Sequence, residues 1–232
     1  VIGFFTLVLI TLIVIIAPPF LPFSEAEIDP LAFNMPPSAK HLLGGDDVGR
    51  DVLSRLLYGG RVSLAVGIFS TAVSVIVGIP LGMLAAFYRG AFEVVVMRLS
   101  DIFMSFPSTI LILFLVSMFG PSIITVTVVI GVLGWPKFAR QIYGSVLSIR
   151  EKDYIEGAVA IGAKDKLIIT RYILPNAVAP IFISITFRIA SAIILESSLS
   201  FLGMGVQPPA ASWGNMLYNA QSITILTSRP WM

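Results

Sequence analysis

Long apolar stretches dominate this sequence and restrict the folds that are open to it. A bilayer core of about 30 Å requires roughly 20 apolar residues in a helix, and four of five stretches reach that length. Charged residues make up 12% of the chain, against about 25% in soluble domains, which is too few to cover a soluble fold. The sequence therefore predicts an all-α integral membrane protein with five spans, Val1–Phe23, Val62–Tyr88, Val94–Phe119, Pro121–Trp135 and Asn176–Glu196.

The first stretch has a second interpretation, the apolar core of a signal peptide. Val1–Phe23 is rather long for such a core, and no small-residue cleavage site follows it. Pro18, Pro19 and Pro22 instead mark the exit from a helix. The residues therefore favour a first membrane span.

The distribution of cations predicts how the spans are oriented. Short loops rich in Lys and Arg stay in the cytoplasm. The region 136–171 holds seven cations, whereas Ser197–Ser228 holds none. This contrast predicts a cytoplasmic loop at 136–175, an external segment at 197–232, an external loop at 24–61 and a cytoplasmic N-terminus. The loop 24–61 has four cations against the rule, but six acids accompany them.

The polar segment Asp153–Pro175 contains Glu156-Gly157-Ala158, then Gly162, then Leu174-Pro175. Gly162 can end a helix, and Pro175 can stop or redirect the chain before the fifth span. The spacing resembles the EAA loop of the permease subunits of binding-protein-dependent ABC importers. This EAA-like segment has Gly157 in place of the first Ala of that pattern and Tyr172 where Ile is frequent.

The resemblance implies two short cytoplasmic helices that fit into a cleft on an ATPase subunit. It implies that the small residues Gly157, Ala158 and Gly162 pack in that groove. The other candidate coupling residues are Asp153, Tyr154, Glu156, Ala163, Leu174 and Pro175. Without the resemblance, the segment reads as an ordinary amphipathic cytoplasmic loop.

A second resemblance lies in the stretch from His41 to Leu64. Its residues predict a Gly-rich turn with Asp46 and Asp47, then a short amphipathic interfacial helix in which Asp51 and Arg55 are spaced for an ion pair. The three acids miss the ligand spacing of an EF-hand, and His41 reads as a solvated surface side chain. The stretch resembles G-T-D-x-x-G-R-D-x-x-S-R of dipeptide, oligopeptide and nickel permeases, with Gly45 in place of Thr.

A third resemblance is the QPP segment, Leu199–Gly214, with the sequence LSFLGMGVQPPAASWG. It matches the pattern L-S-F-L-G-x-G-x-Q-P-P-x-x-x-W-G of the same permeases, most closely the second permease of dipeptide or oligopeptide importers. The resemblance implies one permease domain over residues 1–232, with a four-span core at 62–196 and a sixth span expected beyond Met232.

The sequence offers no catalytic, cofactor or metal site. It contains no G-x-x-x-x-G-K-[ST] phosphate loop, no cysteine and one histidine, and its net charge of +2 gives no indication of nucleic-acid binding. The resemblance implies that ATP and Mg²⁺ bind to two ATPase subunits. It also implies a second homologous permease, an extracytoplasmic solute-binding protein and a peptide substrate in the cytoplasmic membrane.

Other classes of function stay open. A nickel or other small-solute importer would share the same architecture. An ion-coupled secondary transporter would have interrupted helices and buried acids at the midplane, whereas the acids here cluster in loops. A membrane scaffold or channel would not need the EAA-like segment.

Two charged residues of the fifth stretch are candidates for the substrate pathway. Arg188 lies about 18 Å along a helix from Asn176 at 1.5 Å per residue, and a charge at that depth must face the bundle interior or a wet cavity. Glu196 follows eight residues later. The two offer counter-charges for the carboxylate and ammonium groups of a peptide, or they brace neighbouring helices, or Glu196 lies at the outer interface.

Overall fold

The computed structural model describes residues 2–231, and its regular structure there is helical apart from two isolated β-bridges. The helices are α1 (Ile2–Ile16), α2 (Val52–Tyr88), α3 (Gly90–Ser105), α4 (Ser108–Phe119), α5 (Ile123–Val132), α6 (Trp135–Arg150), α7 (Asp153–Ala160), α8 (Asp165–Leu167), α9 (Leu174–Phe201), α10 (Trp213–Ala220) and α11 (Ile223–Ser228). Two 3₁₀ turns, Pro18–Phe20 and Pro30–Ala32, and a π-helical segment, Ile168–Ile173, join them. The predicted all-α class is confirmed.

Within the described residues 2–231, three helical runs are long and apolar enough to cross a membrane, namely Val52–Tyr88, Ile123–Arg150 and Asp165–Phe201. The pair α3 and α4 counts as a fourth if the two are taken as one span, but they are bent by 87° at the break between them. Pro107 explains this bend, because the residue before a proline is driven out of the helical region, and Phe106 is extended with ψ 140°. The predicted span Val94–Phe119 is therefore a broken one.

The first predicted span, Val1–Phe23, is shorter as a helix than the sequence indicated. Helix α1 has 15 residues and ends before the Pro18–Phe20 turn, since proline cannot donate to the helical ladder. Its last carbonyls, on Val14 and Ile15, accept hydrogen bonds from the Arg61 guanidinium. Val1 itself lies outside the described residues.

Two predicted boundaries differ from the structure. The interfacial helix near Val52 is not separate, because α2 runs without a break from Val52 to Tyr88. The first part of the predicted cytoplasmic loop, residues 136–150, belongs to α6. This helix buries an apolar face that includes Phe138, Ile142 and Val146. The cations on its exposed face are the reason that the sequence predicted a loop here.

The chain divides into two compact units. The first comprises residues up to Val66, Val116–Val126 and residues from Ile193 on, and the second comprises Gly67–Leu115 and Thr127–Ala192. The core of the second unit is built from α2, α6, α7, the π segment and α9. Its fully buried side chains include Ile142, Ile168, Ile173 and Ile181.

Small residues allow α2 and α6 to approach closely in this second unit. A Cβ atom added at Gly78 would lie 2.6 Å from the carbonyl oxygen of Trp135. One added at Gly82 would lie 2.7 Å from the carbonyl carbon of Ala139. Glycine is therefore required at both positions by backbone-to-backbone contact.

Candidate functional site

The EAA-like segment forms two short helical pieces separated by a tight turn. Helix α7 ends at Ala160, and Gly162 adopts φ +77°. The amide of Gly162 donates to Val159 O and that of Ala163 donates to Ala158 O, which is the hydrogen-bond pattern of a Schellman cap. The predicted helix break at Gly162 is confirmed.

The segment is anchored by its apolar side. Ile155 and Ala158 of α7 are buried, as are Ile168, Ile169 and Ile173 of the π segment. They pack in one core cluster with Phe138 and Ile142 of α6. The side chain of Ala158 is 6% exposed and packs in the core of its own chain, and its packing against an ATPase stays a prediction. Gly157, by contrast, is exposed and has no heavy atom within 4 Å of an added Cβ.

Pro175 does not interrupt the chain, contrary to the prediction. The helical run Asp165–Phe201 continues through it. The π segment lies just before it, and Leu174 N–H donates to Ile169 O, five residues back. A proline has no N–H for the carbonyl four residues earlier, and wider π-type pairing adjusts the ladder at such points. The EAA-like segment is thus joined to α9 by continuous helix.

The opposite side of the segment exposes large apolar side chains among charged ones. Ile161 is 85% exposed and Val159 is 58% exposed, with Tyr154 and Leu167 also exposed. Exposed charged residues alternate with them along the segment, namely Asp153, Glu156, Lys164, Lys166 and Arg171. We call Tyr154, Val159, Ile161 and Leu167 the exposed patch. Large apolar side chains exposed together in one segment are typical of a protein-interaction site.

A cavity of about 570 Å³ opens beside α7. Glu156 and Asp165 contribute carboxylates to its wall, and Arg150 contributes a guanidinium. The Arg150 side chain also donates to Phe87 O at 2.6 Å, near the end of α2. A cation at a helix C-terminus stabilises the unpaired carbonyls there, so Arg150 fixes the end of α2 beside α7. Sequence reasoning counted Arg150 only as a loop cation.

The first polar loop, 24–61, holds a buried charge network that the sequence did not predict. His41 is 1% exposed. Its Nδ1 lies 2.9 Å from Asp51 Oδ1, its Nε2 lies 3.4 Å from Asp29 Oδ2, and its ring stacks on Phe23 at 4.5 Å. The interpretation of His41 as a solvated surface residue is therefore wrong. Its partners are distant in sequence, so no local pattern identifies them.

The predicted ion pair between Asp51 and Arg55 is also wrong. Asp51 accepts from Ser54 N–H at the start of α2, besides facing His41. Asp46 pairs instead with Arg50 at 2.7 Å and with Arg55 at 3.6 Å. Among the described residues, no group of three or more metal-ligating side chains could hold a metal ion.

Asp29 has a perturbed acidity in this network. The Lys40 ammonium lies 2.6 Å from its carboxylate and the Leu31 amide donates to it. These hydrogen bonds lower the pKa of Asp29 to about 2, the bond from Lys40 having the largest effect. Hydrogen bonds to the ionised form favour that form. The carboxylate is therefore charged throughout the neutral pH range.

Gly45 departs from the family pattern for a visible reason. A Cβ atom at Gly45 would lie 2.8 Å from the carbonyl carbon of Ala32, and Gly45 N–H donates to Met35 O. The turn Pro30–Ala32 thus packs directly on the Gly45 backbone. Threonine would not fit in this conformation.

The loop 24–61 and the QPP segment lie on the same side of the first unit. The carboxylate of Glu25 accepts a hydrogen bond from Ala211 N–H at 2.8 Å. Trp213 Nε1 donates to Leu56 O at 3.0 Å. The two segments are therefore in contact, and their placement outside the membrane stays a prediction.

Glu196 is fully buried within the first unit. It accepts hydrogen bonds from Ser63 Oγ at 2.8 Å and Ser200 Oγ at 2.7 Å. The two hydroxyls in turn accept from Trp213 N–H and Val206 N–H. Through these hydroxyls Glu196 ties the QPP segment to α2 and α9, which agrees with the alternative in which it braces neighbouring helices.

Arg188 braces a break in the helical run Ile123–Arg150. Pro136 removes the N–H that Val132 O would accept, and Gly134 N–H turns back to Gly131 O. Ile130 O then accepts from Arg188 Nη2 at 2.8 Å, and Gly131 O accepts from Ser74 Oγ at 2.7 Å. This geometry agrees with the alternative in which Arg188 braces neighbouring helices. In α3, Asp101 contacts Arg98 and also Arg140 of α6.

Residues 78–228 match the family described as the binding-protein-dependent transport system inner membrane component. The match covers 151 of 232 residues. The chain belongs to this family. It is thus a membrane-spanning permease subunit of the ABC importer type.

Relatives of this permease carry peptide-transport names. It is 40% identical over 232 residues to a putative peptide permease of Brucella ovis, with 99% of this chain and 77% of that protein covered. It is 40% identical to a glutathione transport system permease of Pectobacterium atrosepticum, covering 97% and 74%. It is 37% identical to a dipeptide transport system permease of Alkalihalophilus pseudofirmus, covering 100% and 75%.

The fold of this permease is also found in a solved structure. The inward-facing MetNI methionine ABC transporter matches with a TM-score of 0.59 and 21% identity, covering 73% of this chain and 85% of that one. At this level of identity the likeness concerns the fold alone. The predicted permease fold is confirmed.

Proposed function

We propose that this permease moves di- or oligopeptides across the cytoplasmic membrane and that ATPase subunits drive it through the EAA-like segment. The observation that carries the coupling role is the exposed patch on a firmly anchored element. Ile155 and Ile168 hold the segment in the core, while Ile161 and Val159 face outward. Apolar side chains at that exposure are unfavourable in water and gain from a partner surface.

The continuous helix from Asp165 to Phe201 supports force transfer. A partner that moves the exposed patch would also move α9, because Leu167 lies on the continuous helix and α7 packs in one core cluster with the π segment that precedes α9. Nucleotide-driven closure of the ATPases would shift the segment and open the path in alternating access. This chain would convert one conformational equilibrium into another and would leave ATP and Mg²⁺ to its partners.

The peptide substrate is supported by the names of several relatives, including the dipeptide permease of Alkalihalophilus pseudofirmus. The accompanying assembly would contain a second permease, two ATPases and a solute-binding protein. The N-terminus would be cytoplasmic, because the cation-rich segment 136–171 would then lie inside. Transport of nickel or another small solute is the competing substrate assignment.

Substitution at Gly157 tests the coupling surface without disturbing the fold. Gly157 and Gly144 both lie in helices with no heavy atom within 4 Å of an added Cβ. Gly157→Leu should therefore fold normally but obstruct docking beside the exposed patch. Overpacking costs about 1–3 kcal/mol, so retention of the ATPases should fall by roughly tenfold.

The measurement is the amount of ATPase that co-purifies with the tagged permease. Gly144→Leu is the matched control, because it makes the same substitution outside the EAA-like segment. We expect the control to retain wild-type amounts of ATPase. Equal retention by Gly157→Leu and Gly144→Leu would contradict docking at this surface.

A further inference from the structure

The guanidinium of Arg188 is incompletely bonded within the protein. Its Nη2 donates to Ile130 O at 2.8 Å, but its Nε is buried and has no hydrogen-bond partner. No carboxylate within the described residues 2–231 lies in ion-pair distance of it. A charged side chain in a membrane span normally pairs with an opposite charge or faces a water-filled cavity. The bond to Ile130 O therefore uses one N–H donor of Arg188 and leaves the positive charge of the guanidinium without an opposite charge.

A cavity of about 300 Å³ adjoins this guanidinium. Its wall includes a second cation, Lys137, and three neutral polar side chains, Gln141, Ser184 and Ser191. No acidic side chain lines it. Lys137 takes no part in the bracing of the helix break, so a purely structural role for Arg188 does not explain why two cations meet here.

We propose that this cavity binds the carboxylate of the transported substrate during its passage. The inference rests on the proposed peptide-transport function and names the substrate group that the membrane subunit would recognise. Arginine and lysine form strong charge-assisted hydrogen bonds to carboxylates, and hydroxyl and amide groups supply further donors. Pockets for small ligands begin at about 300 Å³, so the cavity accommodates the end of a peptide and not its whole length.

The cavity also explains how Arg188 can serve two roles. Its bond to Ile130 fixes the guanidinium at the helix break, so the charge is positioned before substrate arrives. A preorganised cation loses little side-chain entropy on binding. Lys137 is exposed and can swing towards an incoming anion.

Charge-selective cysteine labelling tests this inference directly. The chain has no cysteine, so Ser184→Cys introduces a single thiol in the cavity wall. The complete assembly in nanodiscs is treated with anionic and cationic methanethiosulfonates of similar size, and mass spectrometry measures labelling of this chain. After correction for reactivity with a free thiol, the anionic reagent should react about tenfold faster, because nearby charges attract opposite ones at reduced dielectric.

Two variants assign the preference to the cavity cations. Arg188→Gln and Lys137→Gln should each lower the anionic preference to about threefold or less. Lys137→Gln leaves the brace intact, so it remains informative if Arg188→Gln fails to assemble. Thr186→Gln, at an exposed position on α9, should leave the preference unchanged. Equal rates for both reagents in the Ser184→Cys chain, or a preference that survives both cation variants, would overturn the proposal.

A protection experiment identifies the bound anion. Trialanine, added with ATP and the binding protein, should slow labelling by the anionic reagent, and Lys137→Gln should abolish that protection. Protection that follows lipid headgroup charge and ignores the peptide would assign the cavity to a lipid phosphate and overturn the proposal. ATP-driven peptide uptake is measured on the same preparations. Uptake without anionic preference would refute this inference alone, whereas absence of uptake would refute the proposed function.

Discussion

Gly82→Ala should separate α2 from α6 in the second unit. A Cβ at Gly82 would lie 2.5 Å from Ile142 Cγ2 and 2.7 Å from the carbonyl carbon of Ala139. Carbon atoms prefer a separation of about 3.5–4.0 Å, so the helices must move apart by roughly 1 Å. Ile142 and Ala139 are both fully buried, and a backbone neighbour cannot rotate away. We expect a cost near 2–3 kcal/mol, in the upper part of the usual overpacking range of about 1–3 kcal/mol.

The measurement is the thermal stability of this chain, followed by immunoblotting of heated nanodisc preparations. A cost of that size should lower the midpoint by roughly 5–10 °C for a chain of this length. Gly144→Ala is the matched control, because it lies in α6 and its added Cβ has no heavy atom within 4 Å. If Gly82→Ala and Gly144→Ala have the same midpoint, the close approach of α2 and α6 is refuted.

Two further predictions concern the first unit. Ser200→Ala removes a donor to the buried Glu196 and an acceptor for Val206 N–H, so it should destabilise the QPP segment by about 1–3 kcal/mol. Chymotrypsin should then cleave the chain at Phe201 faster than in the wild type, and an unchanged cleavage rate would contradict this role of Ser200. Asp29 has its folded pKa lowered from 3.8 to about 2, so its contribution is complete above the unfolded pKa and is lost as pH falls through the folded one. Pepsin cleavage of loop 24–61 should thus accelerate as pH falls below about 4. Lys40→Met removes the largest cause of the lowered pKa, so cleavage should already be faster above pH 4 and should change less as pH falls; a cleavage rate above pH 4 that equals the wild-type rate would refute the role of Lys40.

Local sequence signals predicted the features that depend on local chemistry. Gly162 ends α7 because glycine readily adopts positive φ. Pro18 and Pro19 follow the end of α1 because proline cannot donate to the helical ladder. These effects require no knowledge of distant partners.

Features that depend on distant partners escaped prediction. His41 is buried because Phe23, Asp29 and Asp51 contact it. No periodic pattern in the sequence predicts these contacts. Ala158 faces the core because the π segment packs beside it. The family pattern marks Ala158 as small, but a small residue serves a tight core contact as well as a docking groove.

The helical continuity through Pro175 could not be predicted from the sequence for a different reason. Proline is a strong helix breaker in isolation, and the compensating π segment consists of ordinary residues, IITRYI. Rigid attachment of the EAA-like segment to α9 therefore became visible only in the structure. This attachment is what supports the coupling role of the segment.

ATP-driven uptake by the complete assembly in proteoliposomes tests the central claim most directly. Dipeptide, oligopeptide and nickel are compared in wild type, Gly157→Leu and Gly144→Leu. Peptide uptake should need ATP, should be lost in Gly157→Leu and should be retained in Gly144→Leu. Uptake of nickel alone would overturn the substrate assignment, and uptake that proceeds without ATP and is unaffected by Gly157→Leu would contradict the claim that ATPases drive this permease through the EAA-like segment.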